Sequence, residues 1–450
     1  MFSVEKITQI VGGELLRRET ATLKRAIHDS RLVGVGDLFV ALPGQRSDGH
    51  KFLAEAFVRG ASAALVSETT VFPARARNLI CVPDTAAALG QWAAAWRQSL
   101  DATIVAITGT NGKTTVKALL GHLLSSCRPA YVSPHNYNTE IGLPIALLSM
   151  PTDANVGVFE LGAERPGDIA LLADILQPHM GILTSVGPGH LDGLKTVAAV
   201  TSEKWSLIEH LPKDGTAFVN ADVPPFLDLA ASAHVPVVTA GLENGAIRGL
   251  VLQTAPNLKV RLNDQDITLS CPLVGTHNAN NLLLAAAAAN TLGISWEEIA
   301  NHAPSFKPIS HRLTPIQASF GMILDDTYNA NPASMSAALD VLIASPIEEA
   351  RRVFVFGEMY GLGTASARFH RDIAQQALSL PIDVILPIGD TAIAACHAVT
   401  VHSEDAARVI VLPRHEIVRW IHDFAPALVV LVKGSRALGL ENLVDALQRL

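Results

Sequence analysis

The stretch from Gly109 to Thr115, GTNGKTT, places two glycines, a lysine and two adjacent hydroxyls between an apolar run and a helical pattern. Backbone N–H groups from Gly109 through Thr110, Asn111 and Gly112 to Thr114 can converge on phosphate oxygens, and the start of the following helix adds its partial positive charge. Lys113 supplies a point charge for β and γ phosphates, and the Thr114 hydroxyl, beside that of Thr115, can ligate magnesium. The common GxxxxGK[ST] pattern requires glycine at position 107, where this chain has Ile107. The loop is therefore a variant. A glycine turn with no phosphate is the plain alternative, and the order strand, GKTT, helix weighs against it. Motors, switches, kinases and ligases all use such loops, so the loop by itself leaves the phosphate acceptor open.

Magnesium needs more oxygen ligands than one hydroxyl. Glu160, in NVGVFELGAERPG, ends an apolar strand, which is where open α/β sheets place ligand-binding groups. Alone it reads equally as a solvated acid; beside GKTT in one sheet, metal duty is the better reading. His190 follows another apolar strand in TSVGPGHLDG, and Lys204 lies on the next helix. Unaided, these are an ordinary loop histidine and a solvated lysine. VGTHNANN gathers His277, Asn278, Asn280 and Asn281 at a helix start, either to cap the helix or to read an adenine edge.

These residues need a scaffold, and 450 residues suggest about three domains. An α/β fold in three parts is expected. In residues 1–84, DLFVAL, ASAALVS and NLICVPD read as buried strands alternating with helical stretches such as HKFLAEAFVRG. In 85–310, the helix AAALGQWAAAWRQSL leads into the strands ATIVAIT, NVGVFE and HMGILTSV of a parallel sheet of the phosphate-loop type, and Val116, Leu119, Leu120, Leu123 and Leu124 mark one face of the helix after the loop. FKPISHRLTP breaks the pattern. In 311–450, GMILDD, RVFVFGEM, DVILPIGD, RVIVLP and ALVVLVKGS are spaced by helices as in a Rossmann-like sheet. The net charge of −8 with no basic stripe argues against nucleic acid. Four cysteines without a CxxC pair fit a reducing cytoplasm. The charged N-terminus lacks a signal-peptide core, and LLLAAAAA at 282–289 is far below the roughly 20 residues of a membrane span, so a protein not integral to the membrane is expected, as a monomer.

Taken together, TGTNGKTT, the strand-end Glu160, the HNxxN element, His311-Arg312 and an α/β C-terminal part resemble the Mur ligases, ATP-dependent enzymes that build the peptide of bacterial cell-wall precursors. HDSR (28–31), GDLFVALPGQRSDGHKF (36–52), NYNTEIGLP (136–144), DDTYNANPASM (325–335), GEMYGLG (357–363) and KGSR (433–436) are most similar to the members that join D-alanyl-D-alanine to a UDP-N-acetylmuramoyl-tripeptide. The resemblance implies a first domain for the nucleotide-sugar peptide, a central ATP domain and a third that closes on it. It implies that Lys113 and Thr114 serve ATP and Mg2+, that Glu160 and His190 hold metal, and that Asn278 and Asn281 contact adenine. Arg312 and Asp326 would meet phosphate and ribose. Lys204 matches a lysine that relatives carbamylate into a magnesium ligand. Ser30, Arg31, Asn138, Thr139 and Glu140 would bind the nucleotide-sugar peptide, and Tyr328, Asn329 and Asn331 the dipeptide. Two positions depart from the pattern: Trp205, where tripeptide-adding members more often carry Gly, and Gly361, where an acid is expected. The implied chemistry is phosphorylation of a substrate carboxylate and attack by an amine, in a site with no serine or cysteine nucleophile.

Overall fold

The structure, a computed structural model, describes the chain apart from residues 1, 20, 22, 45, 46, 68–71, 126, 264, 265, 346, 348, 402, 425 and 426. Gln45 and Arg46 of the GDLFVALPGQRSDGHKF stretch thus lie outside the described residues. Three sheets follow one another along the chain. The first runs, in spatial order, Glu14–Leu16, Leu79–Val82, Ala63–Ser67, Leu38–Val40, Ala26–Ile27, parallel except for its first strand.

The central sheet has nine strands in the order Thr268–Cys271, Leu258–Leu262, Ile247–Gln253, Val237–Gly241, Thr216–Asn220, Met180–Leu183, Thr103–Thr108, Val156–Glu160, Ala130–Val132. Thr103–Thr108 pairs in parallel with Val156–Glu160 on one side and Met180–Leu183 on the other. Their C-terminal ends therefore open on one edge, where the loop, Glu160 and the segment leading to His190 emerge together. The helix Lys113–Ser125 buries Val116, Leu119, Leu120, Leu123 and Leu124 completely, as their spacing predicts, in a core shared with His277–Thr291. On the opposite face, helix Thr85–Gln98 places Leu89 and Trp92 in a core that joins the first sheet to the central one.

Parallel pairing does not extend through the whole central sheet. Leu258–Leu262 and Thr268–Cys271 add antiparallel strands, and the alternating burial of LKVRL is the period-two pattern of a half-covered strand. The third sheet, Thr314–Ala318, Gly321–Asp326, Leu428–Lys433, Arg351–Gly357, Val384–Ile388, is parallel but for its first strand. The expected strand RVIVLP is not one: Glu404–Arg408 is a 3-10 helix and Val409 makes a single bridge to Ile385. Two features end the sheet there. Pro387 removes a ladder donor from the neighbouring strand, as edge strands tolerate, and Arg408 donates to the carbonyls of Leu378, Leu380 and Ile382.

Candidate active site

The phosphate loop takes its shape from two glycines. Gly109 (φ +149°) and Gly112 (φ +86°) occupy backbone conformations that side chains disfavour. A Cβ on Gly109 would sit 2.0 Å from Thr184 Oγ1, and one on Gly112 would sit 2.3 Å from Asn281 Oδ1. The loop is thus wedged between the strand end at Thr184 and the helix that carries Asn281. Lys113 Nζ donates to the carbonyls of Gly109 (2.8 Å) and Thr110 (3.3 Å), which curls the lysine over its own loop. Burial, then the Arg312 charge, lowers the Lys113 pKa, against the pull of Glu160.

Glu160 is 3% exposed and fully engaged. Thr114 Oγ1 donates to its Oε2 at 2.8 Å, and Asn138 Nδ2 donates to its Oε1 at 2.8 Å. Lys117, buried one helical turn after Lys113, places Nζ 3.8 Å from Oε2 and donates to the His135 carbonyl at 2.6 Å. Burial alone would raise the carboxyl, but Lys113, Lys117 and the Thr114 hydroxyl hold it below its usual range. Glu160 is therefore a buried anion, the form a cation requires. His190, at φ +55°, caps the short helix Leu191–Leu194; burial and the Lys113 and Lys204 charges pull its pKa to about 4, so its ring is neutral and able to ligate.

Lys204 is 1% exposed and, among the described residues, has neither a hydrogen-bond partner nor an ion-pair partner. Burial, then the nearby Lys113 charge, brings its pKa to about 7. The helical lysine is thus no solvated side chain. Its neighbour Glu203 accepts from the N–H groups of Gly167 and Ile169 and so caps the helix Asp168–Leu176. Trp205 is buried in the core on the far side.

A cleft of about 670 Å³ collects most of the expected residues: Thr110–Thr115, Asn138–Glu140, Glu160, His190, Asn278, Asn281, Arg312, Asp326, Tyr328, Asn329 and Asn331. Gly109, Lys204, Ser30 and Arg31 are not among the lining residues. Ser30 Oγ donates to Glu55 at 3.0 Å, and Arg31 is exposed and pairs with Asp29 at 2.7 Å. The asparagines of HNANN do not cap their helix. Its N-cap, Thr276, makes no side-chain bond; Asn278 Nδ2 donates back to Val274 O, and Asn281 Nδ2 to Asn278 Oδ1, which directs the pair toward Gly112.

The third sheet reaches into the same cleft. Arg312 donates to Thr114 Oγ1 at 2.7 Å and lies 3.9 Å over the Tyr328 ring. Asp326 pairs with Lys433 at 2.6 Å, and the same ammonium donates to the Asn329 carbonyl at 2.8 Å. Asn331 is already committed: its Oδ1 caps helix Pro332–Ile343 through Ser334 N, and it exchanges amide hydrogen bonds with Asn111 at 2.7 and 3.2 Å. Asn329 is exposed and lines the cleft. Sequence reasoning missed Lys117 and, although KGSR opens with it, gave Lys433 no role. The signals were a lysine inside an apolar helix face and one ending the run VVLVK.

The donor set suits magnesium. Among the described residues no three His, Cys, Asp or Glu side chains form a ready cage, yet Mg2+ is ordinarily bound by one or two carboxylates with waters and phosphate oxygens completing the shell. An ionised Glu160 bonded to the Thr114 hydroxyl, with a neutral His190, meets that demand.

Comparison with known proteins agrees with this geometry. Residues 107–289 match the Mur ligase middle domain, 311–436 the Mur ligase glutamate ligase domain, and 26–97 the model described as Mur ligase family, catalytic domain. The chain is 33% identical to the UDP-N-acetylmuramoyl-tripeptide--D-alanyl-D-alanine ligase of Escherichia coli (strain K12), over 99% of this chain and 98% of that relative. It is 34% identical to the enzyme of that name from Treponema pallidum (strain Nichols), over 94% and 93%. Among solved structures, MurF from Acinetobacter baumannii superposes with a TM-score of 0.89 at 29% identity, covering 100% of this chain and 99% of the other. The MurF ligase of Thermotoga maritima in complex with ADP gives 0.83 at 26% identity, covering 95% and 97%. Matched over nearly its whole length by such relatives, and by Mur ligase models in each of its three parts, the chain belongs to the Mur ligase family.

Proposed function

We propose that this protein joins D-alanyl-D-alanine to the C-terminal carboxylate of UDP-N-acetylmuramoyl-tripeptide, with ATP converted to ADP and phosphate, in the synthesis of peptidoglycan precursors. One observation carries the reading: the phosphate loop, the buried anion Glu160 and the DDTYNANP turn of the third sheet line one cleft. Hydroxide is a poor leaving group, so the substrate carboxylate first attacks the γ phosphorus, forming an acyl phosphate and releasing ADP. The dipeptide amine then adds to the acyl carbon, loses its proton, and expels phosphate as the amide forms. Lys113 and Arg312 bear on the transferring phosphoryl group, and positioning with charge neutralisation does most of the work. Thr114, Glu160 and His190 would hold Mg2+, which supplies countercharge to the β and γ phosphates. Lys204, buried and without a partner among the described residues, fits addition of its amine to CO2 with loss of a proton, which would make it a further oxygen ligand. Asn278 and Asn281 serve the nucleotide, and Asp326 the ribose. Asn138, Thr139 and Glu140 face the nucleotide-sugar peptide, while Ser30 and Arg31 would act from outside the cleft. Tyr328 and Asn329 offer polar groups without countercharge, suited to a small neutral dipeptide.

Residues 1–84, 85–310 and 311–450, each holding one sheet, divide the work between sugar-peptide binding, ATP binding and closure. No described helix is long and apolar enough to cross a membrane, and we place the enzyme in the cytoplasm as a monomer. The test is ADP release measured with each acceptor. Turnover should require the nucleotide-sugar peptide and D-alanyl-D-alanine together, and a folded Lys113→Ala variant should lose it. Preference for a free diamino acid would overturn the dipeptide assignment, and ATP turnover without either substrate would overturn ligation.

A further inference from the structure

The joint between the central and third sheets holds Arg312 in an unusual way. Both of its neighbours lie in the left-handed region, His311 at φ +64° and Leu313 at φ +51°. Residues with a Cβ avoid this region, and persist there where their surroundings fix them. Here the two acids of DDTYNANP do the fixing. Asp325 Oδ2 meets His311 Nδ1 at 2.8 Å, and Asp326 Oδ1 accepts from Leu313 N at 3.2 Å. Thr327 Oγ1 donates to Asp325 Oδ1 at 2.7 Å and stands 3.3 Å from the same ring nitrogen, while Tyr328 N donates to the His311 carbonyl at 3.0 Å. Asp325 is 2% exposed and Thr327 fully buried, so this acid is no part of the cleft lining.

The product of this arrangement is the aim of one guanidinium. Arg312 reaches Thr114 Oγ1 at 2.7 Å with its plane against Tyr328, although its buried Nε has no partner among the described residues. An arginine whose own shaft is so thinly held depends on its backbone for direction. We propose that Asp325, acting through His311, is a positioning residue that sets the backbone of this joint so that Arg312 points at the transferring phosphate. The proposal rests on the reading of Arg312 as a phosphate ligand given above.

The experiment is a double-mutant cycle on the full chain, reading the affinity for a non-hydrolysable ATP analogue by calorimetry together with kcat and the KM for ATP. Arg312→Ala should weaken binding of that analogue roughly tenfold to a hundredfold, the range for hydrogen bonds to charged groups. Asp325→Ala should cost about tenfold by misaiming the same group. Asp325→Asn, which keeps an acceptor, should recover most of it. The distinguishing result lies in the combination: Asp325→Ala placed in the Arg312→Ala background should add nothing, because no guanidinium remains to aim. Should Asp325→Ala fail to fold, His311→Gly carries the same cycle, since glycine accepts the positive φ and removes only the ring that Asp325 grips. Additive losses in the double variants would overturn the proposal and leave Asp325 a general stabiliser. A neutral Arg312→Ala would instead defeat the phosphate reading, and the proposal with it.

Discussion

Lys117→Met replaces a buried ammonium by an apolar side chain of similar length. In the intact protein this ammonium stands 3.8 Å from Glu160 Oε2 and donates to His135 O at 2.6 Å. At that separation, with an effective dielectric constant near 20, the attraction to Glu160 is about 4 kcal/mol. Part of this is returned, because the variant no longer buries a cation. Glu160 also keeps its bonds from Thr114 and Asn138. The bare His135 carbonyl adds roughly 1 kcal/mol, so a net loss of about 2–3 kcal/mol is expected. For a domain of the central unit's size this corresponds to roughly 4–12 °C in the midpoint of its calorimetric transition. The Glu160 carboxyl should rise toward its usual range, since Lys117 is one of the charges that hold it down. Freed from Lys117, the segment carrying Asn138, Thr139 and Glu140 should loosen, raising the KM for the nucleotide-sugar peptide more than that for ATP. A midpoint within about 1 °C of the parent, with both KM values unchanged, would show that Lys117 neither supports Glu160 nor holds that segment.

Gly109→Ala should cost roughly fivefold to thirtyfold in ADP affinity, since the loop must be forced into a left-handed conformation worth about 1–2 kcal/mol, and its Cβ would also meet Thr184 Oγ1 at 2.0 Å and the Ser185 backbone at 2.9 Å; calorimetry that finds parental affinity would contradict the loop geometry. The two turn asparagines should separate in kinetics: Asn329→Ala, exposed in the cleft, should raise the dipeptide KM and leave stability unchanged. Asn331→Ala should remove a helix cap worth about 0.5–2 kcal/mol and, by losing Asn111, disturb the KM for ATP as well. Thiol alkylation at pH 8 followed by mass spectrometry should mark exposed Cys127 in the native protein and spare Cys271 and Cys396, whose thiols burial pushes to about 12.

Much of the central unit was legible because its signals are local. GTNGKTT follows directly on its strand, the five apolar positions after it recur at helical spacing, and Glu160 ends a run of five buried residues. Where the expectation failed, the deciding partner lay far along the chain. RVIVLP has strand composition, but Arg408 is drawn to carbonyls near 380 and Pro387 closes the edge. Lys117 falls inside an apolar helix face, but Glu160 and His135, which surround its tip, come from two other segments. Asn331 reads as a substrate ligand or a turn former; it caps its helix and also clasps Asn111, 220 residues away in sequence. Ser30 and Arg31 carry no signal of distance, and only the fold shows them outside the cleft. The alternation in LKVRL is the signal of its half-covered strand.

The mutual amide grip of Asn111 and Asn331 bears on modularity. The GTNGKTT loop and the DDTYNANP turn touch through side chains that each give and take one hydrogen bond, so neither can be redesigned alone. A chimera that imports another relative's turn at 325–335 to change the incoming amine will carry a change in nucleotide affinity along with it. Because such linkage is reciprocal in binding free energy, the factor by which bound nucleotide tightens the amine site is the factor by which bound amine tightens the nucleotide site, and breaking the clasp should bring both factors toward one.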